Sequence, residues 1–107
     1  MPKPVKPLAR AVRDFDDIID YYLVEAAEGV AERFVDALDA AYDFISHTPG
    51  GGSGRIGIAT DLPDLRSWNV RGFPYLVLYV EQPDRIDVVR ILHSHRDLPA
   101  ELNAPTN

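Results

Sequence analysis

The sequence has no cysteine, which removes disulfide scaffolds and thiolate chemistry from consideration and fits a cytoplasmic setting. Lysine is nearly missing too, at Lys3 and Lys6 alone, and acids outnumber bases 17 to 11 for a net charge of -6. Such a balance weighs against a protein whose main task is gripping phosphates, so direct nucleic-acid binding is not expected. No apolar run approaches the roughly 20 residues that a membrane helix needs. The lysines of the first seven residues are not followed by the apolar stretch of a signal peptide. What remains is a single domain spanning residues 1–107, long enough for a hydrophobic core of its own.

The chain is organised around Leu65 to Asp97, where three β-rich runs are separated by two proline-containing turns, Gly72-Phe73-Pro74 and Gln82-Pro83-Asp84. This is the pattern of an antiparallel meander. Upstream, the prolines at positions 2, 4 and 7 limit any strand to a short one at a sheet edge. From about Leu8 to Ala26 the period becomes helical, with Val12, Phe15, Ile18, Ile19, Tyr22 and Leu23 on one face. Arg13, Asp14, Asp16, Asp17 and Asp20 read as a solvated face. Gly29 relaxes a bend, and a second helix runs to about His47, a cation suited to a helix end. The glycine-dense segment from Gly50 to Arg55 lacks the Gly-Lys-Ser/Thr closure of a phosphate loop. With the aperiodic Ile56 to Thr60 it reads as a mobile surface loop.

The change of period from 3.6 to 2 at that loop predicts an α+β fold, a helical hairpin packed on one face of a mainly antiparallel sheet in the order β-α-α-β-β-β. The expected core holds Phe15, Ile18, Ile19, Tyr22, Phe34, Leu38, Tyr42, Leu76, Leu78, Val88 and Leu92. In the last run, strict alternation groups Ile86, Val88, Arg90 and Leu92 on one face, and Val89 and Ile91 on the other. An arginine there needs a partner. Tyr75, Val77, Tyr79, Val89 and Ile91 are expected to lie beyond the cover of the hairpin, forming an interface. On this reading the partner-binding residues are Arg71, Tyr75, Tyr79 and Arg90, with the two arginines meeting acids of the partner.

Three chemistries are open to the polar end of the meander. His93 and His95, two apart on a strand, offer a metal two ligands without a placed third, so no metal or cofactor is expected. Ser94 with a histidine and Asp97 has the composition of a triad, but neighbours in sequence rarely take triad geometry. His95 or His93, with Arg71 and Arg96, has the composition of an RNA-cleaving general acid–base site. The non-catalytic reading makes His93 a half-buried strand residue and Arg96–Asp97 a structural ion pair. It is preferred because the chain is acidic and poor in lysine.

The chain resembles the ParE branch of the ParE/RelE toxin superfamily of toxin–antitoxin modules. The likeness rests on Asp14 to Tyr21, Ala31 to Leu38, Pro49 to Arg55 with Leu65-Arg66-Ser67, Val70-Arg71-Gly72-Phe73-Pro74-Tyr75, and Ile91 to Asp97, and it covers about residues 8–102. The resemblance implies a toxin that binds and poisons DNA gyrase and is neutralised by a cognate ParD-like antitoxin, without being an enzyme. The RelE branch instead cuts messenger RNA on the ribosome. This chain departs from that branch in its dearth of lysine and in carrying Phe73-Pro74-Tyr75 where the branch tends to hold a basic residue. A non-toxic interaction module of the same fold is the remaining alternative.

Overall fold

A computed structural model describes residues 2–95. Arg96 and Asp97, and the terminal helical turn expected over 97–102, lie outside the described residues. The elements run β1 (Val5–Pro7), α1 (Ala9–Glu25), α2 (Val30–His47), a 3-10 turn (Pro49–Gly51), α3 (Arg55–Ala59), β2 (Leu65–Asn69), β3 (Tyr75–Glu81) and β4 (Ile86–His93). The four strands form one sheet in the order β1-β4-β3-β2. The meander is antiparallel, while β1 pairs parallel with β4 over three residues at the edge. The prolines keep β1 short. The chain leaves it directly for α1, and the Leu8 amide still donates to the Val88 carbonyl at 2.9 Å.

Both long helices lie on one face of the sheet. Ala11 and Ile18 of α1 and Phe34, Leu38, Ala41 and Ile45 of α2 share a cluster with Val77, Tyr79, Ile86, Val88 and Ile91. Phe34 is its centre, with the rings of Phe73, Tyr75, Tyr22 and Phe15 at 5.3, 5.6, 5.8 and 6.4 Å. Gly29, at φ +89°, supplies the left-handed residue from which α2 starts. On the opposite face Leu65, Leu78 and Leu92 form a smaller cluster, against which Ile56, Leu76, Val80 and Val89 pack. Every residue of the expected core is in, or packed against, one of these clusters.

Three expectations are corrected. The segment after α2 is built, not loose: its 3-10 turn starts on Pro49, and α3 lays Ile56 on the second sheet face. Gly57 lets α3 approach so closely that an added Cβ would run into the Leu62 and Leu65 carbonyl oxygens. Strict alternation fails in β4, because a bulge shifts the register between Leu78, which faces Arg90, and Tyr79, which faces Val88. Ile86 and Val88 therefore join Ile91 under the helices, while Leu92 falls on the other side. The face of β3 expected to be uncovered is the one that the helices cover, while Val89 stays half-buried on the other side. Val77 and Tyr79 are fully buried and Ile91 nearly so, with Tyr75 packed against them.

Tyr79 has two roles, one in the core and one at the loop. Its hydroxyl donates to the Pro49 carbonyl at 2.7 Å and accepts the Gly52 N–H at 3.1 Å, pinning the glycine-rich segment to the sheet. Burial pushes its pKa up, against the pull of the Gly52 amide and the Arg66 guanidinium. Tyr79→Phe keeps the ring and strands both loop groups, so urea denaturation should show a loss of about 1–3 kcal/mol. A change within experimental error would mean that the loop does not depend on this hydroxyl.

Candidate functional site

The strongest concentration of polar groups lies where α1 crosses the edge of β4 beyond the end of β1. Asp14, placed on the solvated face by its sequence pattern, is instead buried at 7% exposure. Its carboxylate accepts two hydrogen bonds from Arg90, Nε at 2.8 Å and Nη2 at 3.1 Å. It also accepts the Ile91 backbone N–H at 3.0 Å and Arg10 Nη1 at 2.9 Å. The arginine on the apolar strand is thus paired within its own chain, which corrects its expected pairing with acids of a partner. Arg10, Asp14 and Ile18 recur at i and i+4, so one helix face carries the whole connection to the strand.

Beside this pair opens a cleft of about 500 Å³, lined on the helix side by Asp17, Ile18, Tyr21 and Tyr22 and on the strand side by Tyr75, Ile91 and His93. Its aromatic wall is continuous: Tyr21–Tyr22, Tyr22–Tyr75 and Tyr75–His93 meet edge to face at 5.5, 6.3 and 5.4 Å. Burial, reinforced by the neighbouring Tyr75 hydroxyl, pushes Tyr22 up to about 12. Burial and then Asp39 do the same for Tyr42 on α2, also to about 12. A tyrosine whose pKa is raised by folding stabilises the fold fully below the unfolded value, near 10, and loses that contribution as pH climbs towards the folded value. Stability should therefore fall between about pH 10 and 12, and ultraviolet titration should show Tyr22→Phe removing a late-ionising phenol. An unchanged late phase would contradict the assignment.

Of the candidate nuclease residues that are described, Arg71 lies apart from His93 and His95, whose ring centroids are 5.3 Å apart. His93 lines the cleft and its Nδ1 accepts the His95 backbone N–H at 3.1 Å. His95 itself is exposed. Arg71 is exposed in the turn where Gly72, at φ +84°, reverses the chain, and it borders a different cleft with Phe44, Trp68 and Phe73. There Trp68 stacks on Phe44 at 3.9 Å with the planes 13° apart. Among the described residues no group of three or more His, Asp or Glu is placed to hold a metal ion, and no helix is long and apolar enough to cross a membrane.

Of the residues expected to bind a partner, Arg71 is exposed and Tyr75 half-buried, whereas Tyr79 and Arg90 are buried in the fold. Sequence reasoning misses the apolar groove on the outer side of the hairpin, about 240 Å³, bounded by Pro7, Val12, Phe15, Val35, Leu38 and Tyr42. Val12, which lines it, is a large apolar residue more than 40% exposed. The signal is present in the sequence, since Val12, Phe15, Val35 and Tyr42 repeat at helical spacing. That spacing alone assigns all four to the core.

A family model described as the ParE toxin of the parDE type II toxin–antitoxin system matches residues 5–98. No curated protein matches the sequence. Among solved structures, a chain of the chromosomal ParDE TA system from P. aeruginosa is similar at 21% identity, covering 85% of this chain and 95% of its own, with a TM-score of 0.69. At that identity the likeness is one of fold.

Proposed function

Since the chain belongs to the ParE toxin family of type II toxin–antitoxin systems, we propose that it inhibits DNA gyrase by binding and is silenced by a cognate ParD-like antitoxin. The observation that carries the non-catalytic half of this reading is the state of Asp14. The most deeply placed carboxylate of the cleft accepts from two arginines and a backbone amide, which leaves it no capacity as a general base. The groups with nuclease chemistry, Arg71 and His93, border different clefts.

For the antitoxin, the outer groove of the hairpin is the best-suited surface. It is mainly apolar, lined in part by the exposed Val12, and shaped to receive one face of an amphipathic helix. Burial of about 2,000 Å² or more is typical of such a permanent complex. Expression of the chain should arrest growth, and co-expression of the antitoxin should restore it. In a translating extract, messenger RNA should stay intact at toxin concentrations that block gyrase. Ribosome-dependent cleavage that disappears in His95→Ala would instead establish the RelE-like ribonuclease reading.

A further inference from the structure

A sheet edge left unpaired offers its N–H and C=O groups to any other strand, and proteins close such edges with charge, proline, bulges or cover. Three stretches of edge in this sheet are closed in visible ways. Ser53 bridges Ser67 of β2, with backbone N···O distances of 2.9 Å in both directions. β1 covers β4 from Ile86 to Val88. β1 itself, as the outermost strand, is flanked by Pro4 and ends on Pro7.

Among the described residues, the second half of β4 is closed in none of these ways. Beyond Val88, β4 continues for five residues to His93 without an outer neighbour. Its register with β3 turns the Ile91 N–H outwards, and the group that meets it is the Asp14 carboxylate at 3.0 Å. Between α1 and this edge lies the cleft of about 500 Å³. Helix packing alone therefore does not shut it.

We infer that Asp14 is an edge guard. Its carboxylate stands in for the missing strand, accepting the outward Ile91 N–H, and with Arg90 it sets a buried ion pair across the place where a second copy's β4 would add. Arg90 holds the carboxylate in position through two bonds, and Arg10 braces its other side. The bulge beside Val89 is a second guard on the same stretch, because it breaks the even spacing that an incoming strand needs. The device keeps the chain monomeric and is independent of what the toxin acts on.

Two double variants separate the guard from the ion pair. Asp14→Leu with Arg90→Met replaces the pair by apolar groups of similar size and leaves Ile91 without an acceptor. Asp14→Asn with Arg90→Met also removes both charges but keeps a side-chain carbonyl. In light scattering the wild type and the asparagine variant should be monomers. The leucine variant should associate with rising concentration, its mass increasing about twofold or more, as expected for an uncovered edge. A leucine variant that stays monomeric, or two variants that associate equally, would overturn the inference. Hydrogen exchange of the wild type tests the guard even if a variant fails to fold. The Ile91 amide should be protected as strongly as the inner ladder amides of β3, and fast exchange there would refute the guard.

Discussion

Asp14→Ala should destabilise the protein by about 3–5 kcal/mol, the usual cost of stranding one partner of a buried ion pair. The variant leaves Arg90 with only 9% of its side chain exposed and no anion, and orphans the Ile91 amide. A domain of this size has a total stability of about 5–15 kcal/mol. Melting should fall by about 4–8 °C for each kcal/mol lost. Arg10→Ala is the control. Arg10 is about one-third exposed and contributes an i,i+4 pair to the same carboxylate, so its loss should cost no more than about 1 kcal/mol. Equal effects of the two variants in urea denaturation would mean that Arg90 is not the partner that matters.

A loss of similar size is expected for Phe34→Ala, about 3–5 kcal/mol. Phe34 is fully buried and is the residue through which both helices and the sheet meet, with four aromatic rings around it. Those rings come from α1, from the turn after β2 and from the start of β3. No single one can move in to fill the space without leaving another gap, which is the condition under which a cavity stays open. Phe34→Leu keeps most of the volume and should lose markedly less. If calorimetry showed both variants melting together, the ring contacts would carry no weight of their own.

The two positions mark where the sequence is readable and where it is not. Phe34 is legible because helical spacing puts it in line with Leu38, Tyr42 and Ile45, and periodicity reports burial directly. Asp14 is not. A carboxylate among Arg13, Asp16, Asp17 and Asp20 has the same local pattern whether it faces water or a strand 76 residues further on. Arg90 gives half of the signal, since a cation between Val89 and Ile91 demands a counter-ion, but its partner has to be sought in a distant helix. The exposed face assigned to Tyr75, Val77 and Tyr79 fails because the run from Tyr75 to Val80 is apolar on both faces, so alternation does not say which face the helices take. In β4, where Ile91 lies, a second cause is added. A bulge is a single unpaired residue, and nothing in Val88-Val89-Arg90 announces it, yet it exchanges the faces on either side. The glycine-rich segment fails differently, because its order comes from Tyr79, 27 residues beyond Gly52, and not from its own composition. The groove on the hairpin is hidden by a correct rule applied too widely: helical spacing selects an apolar stripe, and here part of that stripe faces outwards.

Inhibition of gyrase by binding, the activity proposed for this toxin-family chain, is open to a direct test. The measurement is a supercoiling assay with purified gyrase, relaxed plasmid and ATP, titrated with the purified chain with and without its antitoxin. Supercoiling should stop as the chain is added, and an equimolar antitoxin should restore it. His93→Ala and His95→Ala should inhibit as the wild type does. Undiminished supercoiling at a large molar excess of folded chain would contradict the proposed activity.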